Sequence, residues 1–144
     1  MSRTITVEHN GTTYYGKVAK IESTYLGRED HGILTAYLNV KGDDWGIGVG
    51  GYGLDTPIRD ENDKFVGRQP TAYGLDHIVQ MYRTVGVESW EKLPGREVLV
   101  LFDTPHVWGS TAKGIAHISD EKRVLILADH AAEWKARDDE AASS

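Results

Sequence analysis

Residues 45 to 55 read Trp-Gly-Ile-Gly-Val-Gly-Gly-Tyr-Gly-Leu-Asp, and five of these eleven are glycine. Each glycine weakens a strand or helix by about 0.5–1 kcal/mol relative to alanine, so a cluster requires a use. At period two, Gly46, Gly48 and Gly50 share one face of a strand, and Trp45, Ile47 and Val49 share the other. A face without side chains admits a flat ligand, another backbone or a sharply curled neighbour. A tight corner or bulge is the plainer reading of the same residues. Three glycine-based phosphate sites fail on context. No Gly-Lys-Ser/Thr follows, no helix opens at the glycines, and the chain is too short for a kinase.

The residues that would complete a cradle lie nearby. Arg28, Arg59 and Arg68 carry guanidinium forks that suit a pyrophosphate. Trp45, Tyr52 and Tyr73 suit stacking on a base. Gly74, in the first turn of a helix, leaves room for an anion at the positive end of the helix dipole. The expected ligand-binding set is therefore Arg28, Trp45, Gly48, Gly50, Gly51, Tyr52, Arg59, Arg68, Tyr73 and Gly74. The bland alternatives are solvated loop arginines and close packing of the helix on a sheet at Gly74.

Other chemistry has less support. Glu29-Asp30-His31 places metal-ligand types in a row, but consecutive strand residues face opposite ways. Asp30 and His31 are the metal candidates, with further His and Asp at Asp103, His106, His117, Asp129 and His130, and a turn that bonds the glycine strand is the preferred reading of Asp30 and His31. His-x-x-x-His and His-Glu-x-x-His spacings are absent. No Gly-x-Ser-x-Gly elbow marks a serine nucleophile. There are no cysteines. The expectation is no catalytic set and no cofactor.

Several elements must position these residues. Asn10-Gly11 is a tight-turn signal between Thr4–Val7 and Tyr14–Thr24, which read as a hairpin. From His31 to Lys41, Leu34, Ala36, Leu38 and Val40 alternate with Ile33, Thr35, Tyr37 and Asn39, so one face is core and the other half polar. Gly42-Asp43-Asp44 turns the chain into the glycine strand. The polar run 58–70 reads as a long surface loop. Thr71 to Val85 reads as the main helix, with Leu75, Ile78, Val79, Tyr82 and Val85 as its apolar stripe and Gly86 as its stop. Residues 89–93 read as a single capped turn. Arg96 to Phe102 is apolar on both faces and reads as a central strand. Thr111–Ile118 and Arg123–Leu127 read as a second hairpin, followed by a short helix over 129–137. The sum is an α+β fold: an antiparallel sheet or small β-barrel of about six strands with one main helix.

The 144 residues fit one domain, read as 1–137 with an acidic disordered tail at 138–144. The formal charge is −6, and half of it lies beyond residue 128, where five acids meet two bases. That balance argues against binding duplex nucleic acid. No apolar run is long enough for a membrane span or a secretion signal, which makes cytoplasm the expected compartment. The two-sided strands and glycine face predict a homo-oligomer, a dimer being the simplest.

Leu26-Gly27-Arg28-Glu29-Asp30-His31-Gly32-Ile33, Gly50-Gly51-Tyr52-Gly53-Leu54-Asp55, Gly67-Arg68, Thr71-Ala72-Tyr73-Gly74-Leu75 and Val85-Gly86-Val87-Glu88-Ser89-Trp90-Glu91 together resemble a group of small phage-encoded proteins. The resemblance covers about residues 20–95. It implies a phage origin, and hence the cytoplasm of an infected host cell, but names no activity. By analogy of type alone, some small phage proteins sequester the nucleotide signals of bacterial immunity. The preferred expectation is thus a non-enzymatic binder that sequesters a small nucleotide-like anion. The alternatives are a metal-assisted phosphoester hydrolase using Asp30, His31 and a distant His or Asp, and an inhibitor that binds a host protein.

Overall fold

A computed structural model describes residues 4–120 and 122–143. Residue 121, within the expected 119–122 turn, and the last residue of the acidic tail lie outside the described residues. The fold is α+β. A seven-stranded antiparallel sheet follows the order β4 (Trp45–Gly50), β3 (Ile33–Gly42), β2 (Thr12–Asp30), β7 (Glu97–Phe102), β8 (Gly114–Ala116), β9 (Val124–Ile126), with β1 (Thr4–His9) paired to β2. It is an open sheet rather than a barrel.

The hairpin of β1 (Thr4–His9) and β2 (Thr12–Asp30) forms where Asn10-Gly11 predicts it, both turn residues having positive φ (50° and 78°). β2 is far longer than the expected Tyr14–Thr24. Its first part pairs with β1 on one side and with β7 (Glu97–Phe102) on the other; its second part pairs with β3 (Ile33–Gly42). A two-residue turn at Asp43-Asp44 then returns the chain as β4 (Trp45–Gly50).

The run 58–70 is not a loop. β5 (Asp55–Arg59) and β6 (Phe65–Pro70) form a two-stranded ribbon closed by a polar turn in which Asp60 Oδ1 accepts from the N–H of Asn62 and of Lys64. Asx-type bonding organised a segment whose polarity had hidden its strands.

Helix α1 (Ala72–Val85) starts at Thr71, whose Oγ1 accepts from the Gly74 N–H, and ends at Gly86 in the left-handed region. Its buried face is Gly74, His77, Met81, Thr84 and Val85, whereas Leu75 is 68% exposed. The stripe expected from apolar residues alone is rotated because Gly74 and His77 turn inward. A Cβ at Gly74 would stand 2.0 Å from the Leu54 carbonyl oxygen. Close helix–backbone packing therefore explains this glycine.

β7 is central and buried on both faces, as its composition predicts. Val98, Val100 and Phe102 join Ile21, Leu38, Val49, Met81 and Leu93 in the core beneath α1. Leu99 and Leu101 join Val7, Tyr14, Ala116 and Ile126 in a smaller core on the opposite face. Residues 89–93 contain a 3₁₀ turn at Trp90–Lys92, and β8 (Gly114–Ala116) and β9 (Val124–Ile126) form the second hairpin. A second helix, α2, runs Leu127–Ser143. It extends through the stretch from Asp138 that was expected to be disordered, its polar composition being compatible with a helix that buries only Leu127 and His130. Among the described residues no helix is long and apolar enough to cross a membrane.

The close approach at Gly74 reverses the usual effect of Gly→Ala in a helix. Gly74→Ala is expected to destabilise by about 1–3 kcal/mol through overpacking, where propensity alone would stabilise. Urea denaturation measures it.

Candidate ligand-binding face

The two-residue turn at Asp43-Asp44 fixes the register of the glycine strand. It sets Lys41 opposite Gly46, Asn39 opposite Gly48 and Tyr37 opposite Gly50. On the other side of β3, Lys41 faces Lys20, Asn39 faces Ser23 and Tyr37 faces Tyr25. Directly paired residues of an antiparallel sheet share a face. The result is a polar surface of three rows: Gly46-Lys41-Lys20, Gly48-Asn39-Ser23 and Gly50-Tyr37-Tyr25. A bulge between Ile21 and Ser23 brings Ser23 onto the face of Lys20.

Each row offers a distinct contact. The Tyr25 and Tyr37 rings are stacked, with centroids 5.0 Å apart and planes 20° apart. Tyr25 lies along its own strand over Gly27, and its hydroxyl accepts from the Glu29 N–H at 2.8 Å. Asn39 Nδ2 donates to Ser23 Oγ at 2.9 Å, leaving the amide oxygen for another donor. Lys20 and Lys41 are both exposed. They are like charges opposed across the sheet, an arrangement that costs stability unless an anion joins them. Both line a recess of about 670 Å³ with Ile21, Glu22, Gly42, Pro94 and Gly95. Beside these side chains the glycine column is bare. A Cβ at Gly48 would find only the Tyr37 ring at 3.8 Å, and one at Gly46 only the Val40 oxygen at 3.4 Å.

The column ends in a bulge. Gly50 and Gly51 have φ of 118° and 89°. A Cβ at Gly50 would meet the Ala36 oxygen at 2.5 Å, so this glycine serves the backbone. The chain rejoins β3 where the Leu54 N–H donates to Leu34 O. Between these points Tyr52 turns to the helix side and packs against His77 and the core.

The expected binding residues therefore divide. Gly48 lies on the open face, and Gly51 at its end has nothing within 4 Å of a Cβ position. Trp45 turns to the core, edge-on to Phe102 at 5.8 Å. Tyr52 and Tyr73 join the core-side ring cluster described below, and Gly74 is closed by Leu54. The arginines are engaged. Arg59 approaches Asp63 within its own hairpin. Arg68 and Arg28 converge on Asp55. Asp30 ends β2, His31 and Gly32 form the turn to β3, and Asp30 and His31 bond each other at 2.8 Å rather than the glycine strand.

Asp55 is the electrostatic centre of this region. Its side chain is wholly buried. Oδ1 accepts from Arg68 Nε at 2.8 Å and from the Leu34 N–H at 3.2 Å, while Oδ2 faces Arg28 at 3.6 Å. Burial would raise its pKa, but the Arg68 and Leu34 hydrogen bonds and the two guanidinium charges outweigh it and hold the carboxyl below its usual range.

On the helix side, Asp76 accepts from His130 Nε2 at 2.7 Å, Trp134 Nε1 at 3.0 Å and Gln80 Nε2 at 3.1 Å. Against the cost of burial, these bonds hold it down at about 2. Burial pushes His77 down to about 4, and the neighbouring His130 adds to that effect. Burial also pushes Tyr73 up to about 12.

The sequence reading missed Lys20, Ser23, Tyr25, Tyr37, Asn39 and Lys41. The signal was present in the half-polar face of 33–39 and the turn that sets its register against the glycines. Compared with protein-family models, curated proteins and solved structures, the chain matches none.

Asp55→Asn should cost about 3 kcal/mol, since it leaves Arg68 without its buried counter-charge. The depressed carboxyl gives the pH sign. Its contribution is present above the unfolded value and is lost as pH falls through the folded value. Guanidinium denaturation of both proteins should show a wild-type advantage that is full near pH 6 and shrinks as pH is lowered below roughly 4.

Proposed function

We propose that the protein is a non-enzymatic binder of a small nucleotide-like anion, held on the face formed by β2, β3 and β4. The observation that carries this reading is the register of the glycine column against Tyr37, Asn39 and Lys41. A flat base can approach the backbone beside Gly48, where a Cβ would meet the Tyr37 ring alone, at 3.8 Å, and stack against the Tyr25–Tyr37 pair. The Asn39 oxygen and Ser23 hydroxyl read polar groups on the base edge. Lys20 and Lys41 receive the phosphate and relieve each other's repulsion.

Binding alone requires no activated water or nucleophile. Its biological sense is sequestration, in an infected cell, of a nucleotide signal of host defence. β4 is an outermost strand of the sheet, and its free edge supports association of two copies.

The test is calorimetric titration with a panel of cyclic nucleotides and ADP-ribose derivatives, followed by heating of the complex. A bound compound should be released chemically intact; a hydrolysed product would favour an enzyme instead. Loss of the Tyr37 ring should weaken binding by about tenfold or more, as one stacking contact is worth roughly 1–3 kcal/mol. Gly48→Val should block binding while the thermal midpoint stays within a few degrees, because the site faces solvent. Unchanged affinity in both variants would exclude this face.

A further inference from the structure

We propose that His77, His130 and Tyr73 form a second, buried site that takes one divalent transition-metal ion of the zinc class. The site lies on the helix side of the sheet and is independent of the nucleotide face. Its starting point is an excess of unsatisfied polar atoms. Nδ1 and Nε2 of His77, Nδ1 of His130 and the Tyr73 hydroxyl are all buried without a hydrogen-bond partner. His77 is 0% exposed. Leaving one such group unpaired costs about 1–3 kcal/mol, so the cluster calls for a shared partner, and a single ion can take one donor from each of the three rings.

The three rings form a nearly equilateral triangle. Centroid separations are 5.8 Å for Tyr73–His77, 5.5 Å for Tyr73–His130 and 6.0 Å for His77–His130. A zinc ion about 2.0–2.1 Å from an imidazole nitrogen stands about 3.2 Å from the ring centre, so one ion near the midpoint of the 6.0 Å His77–His130 separation is within reach of both. A phenolic oxygen extends farther from its ring, so the same ion would stand about 4 Å from the Tyr73 centroid, a distance the triangle allows. Imidazole nitrogen and phenolic oxygen suit Zn²⁺ and Co²⁺.

His130 is also held in the tautomer that ligation needs. Its Nε2 faces the Asp76 carboxylate, which only an Nε2–H can satisfy, so in the neutral imidazole the lone pair lies on Nδ1. A carboxylate behind a histidine is the usual support of a metal-ligating imidazole. Asp76 is itself fixed by Trp134 and Gln80. An adjoining recess of about 370 Å³ reaches Asp76 and His130, and it presents Asp129 and Glu133 as well as Arg137. The acids give an entering cation a favourable approach.

Among the described residues no group of three or more His, Cys, Asp or Glu is placed to hold an ion. This site differs in taking its third donor from a tyrosine. Ligation by the phenolate releases the Tyr73 proton to solvent, and one coordination position remains for water.

The full chain, first stripped with chelator, is titrated with Co²⁺ by visible absorption and with Zn²⁺ by calorimetry. One ion per chain should bind, with cobalt d–d bands. Tyr73→Phe and His130→Gln should each weaken binding roughly tenfold or more, and His9→Gln, at the outer rim of the recess, should not. Tyr73→Phe keeps the ring and removes a single hydroxyl, so it tests the site even if a His77 variant fails to fold. Absence of binding at millimolar metal, or unchanged affinity in either Tyr73→Phe or His130→Gln, would overturn the proposal.

Discussion

The buried carboxylate of Asp55 is the constraint on which the other arrangements depend. A two-stranded ribbon such as β5–β6 is marginal in water by itself. Asp55 holds Arg68 on β6 within the ribbon and ties the ribbon to the main sheet through the Leu34 N–H on β3 and Arg28 on β2. The preceding residue extends the same clasp to the helix. The Leu54 oxygen accepts from the Thr71 hydroxyl, which in turn caps α1. Two adjacent residues thus set the ribbon, the long hairpin and the helix start in one frame. An unpaired carboxylate could not remain there, and the arginines are held where they are because it is present.

That frame separates the two faces of the glycine segment. Gly46 and Gly48 remain open because β4 is the last strand of the sheet and, among the described residues, a Cβ there would meet only the Val40 oxygen and the Tyr37 ring. Gly50 and Gly74 are closed by Ala36 and Leu54. The bulge at Gly50-Gly51 turns Tyr52 towards His77. One short segment therefore combines two uses of glycine: a bare surface, and close approach of backbone to backbone. The open surface is shallow and polar, whereas the ring cluster behind the sheet is closed and undersatisfied.

Much of the architecture was legible in the residues. Asn10-Gly11, the alternation after Ile33, the Thr71 cap, Gly86 and the two-sided β7 each encode local structure that the fold retains. What was hidden depends on distant contacts. Polarity concealed β5–β6 because its order comes from Asp60 bonding and from Asp55, which no periodicity reports. The helix stripe was rotated because apolar counting gives no weight to an inward glycine or histidine. Arginines 28 and 68 look available until the fold brings a buried acid to them. The basic and aromatic side chains beside the glycines come from strands adjacent in the sheet rather than in the sequence, and only the half-polar face of 33–39 and the turn at Asp43-Asp44 pointed to them.

The most direct measurement is a two-dimensional ¹⁵N NMR titration of the full chain with a bound nucleotide, because glycine amides are resolved from the rest. Perturbation centred on Gly46, Gly48 and the Asn39 side-chain amide, with Gly74 and the Arg68 side chain unmoved, is the expected result. Perturbation centred on Arg59, Arg68 and Gly74, or none at all with any nucleotide, would contradict the account.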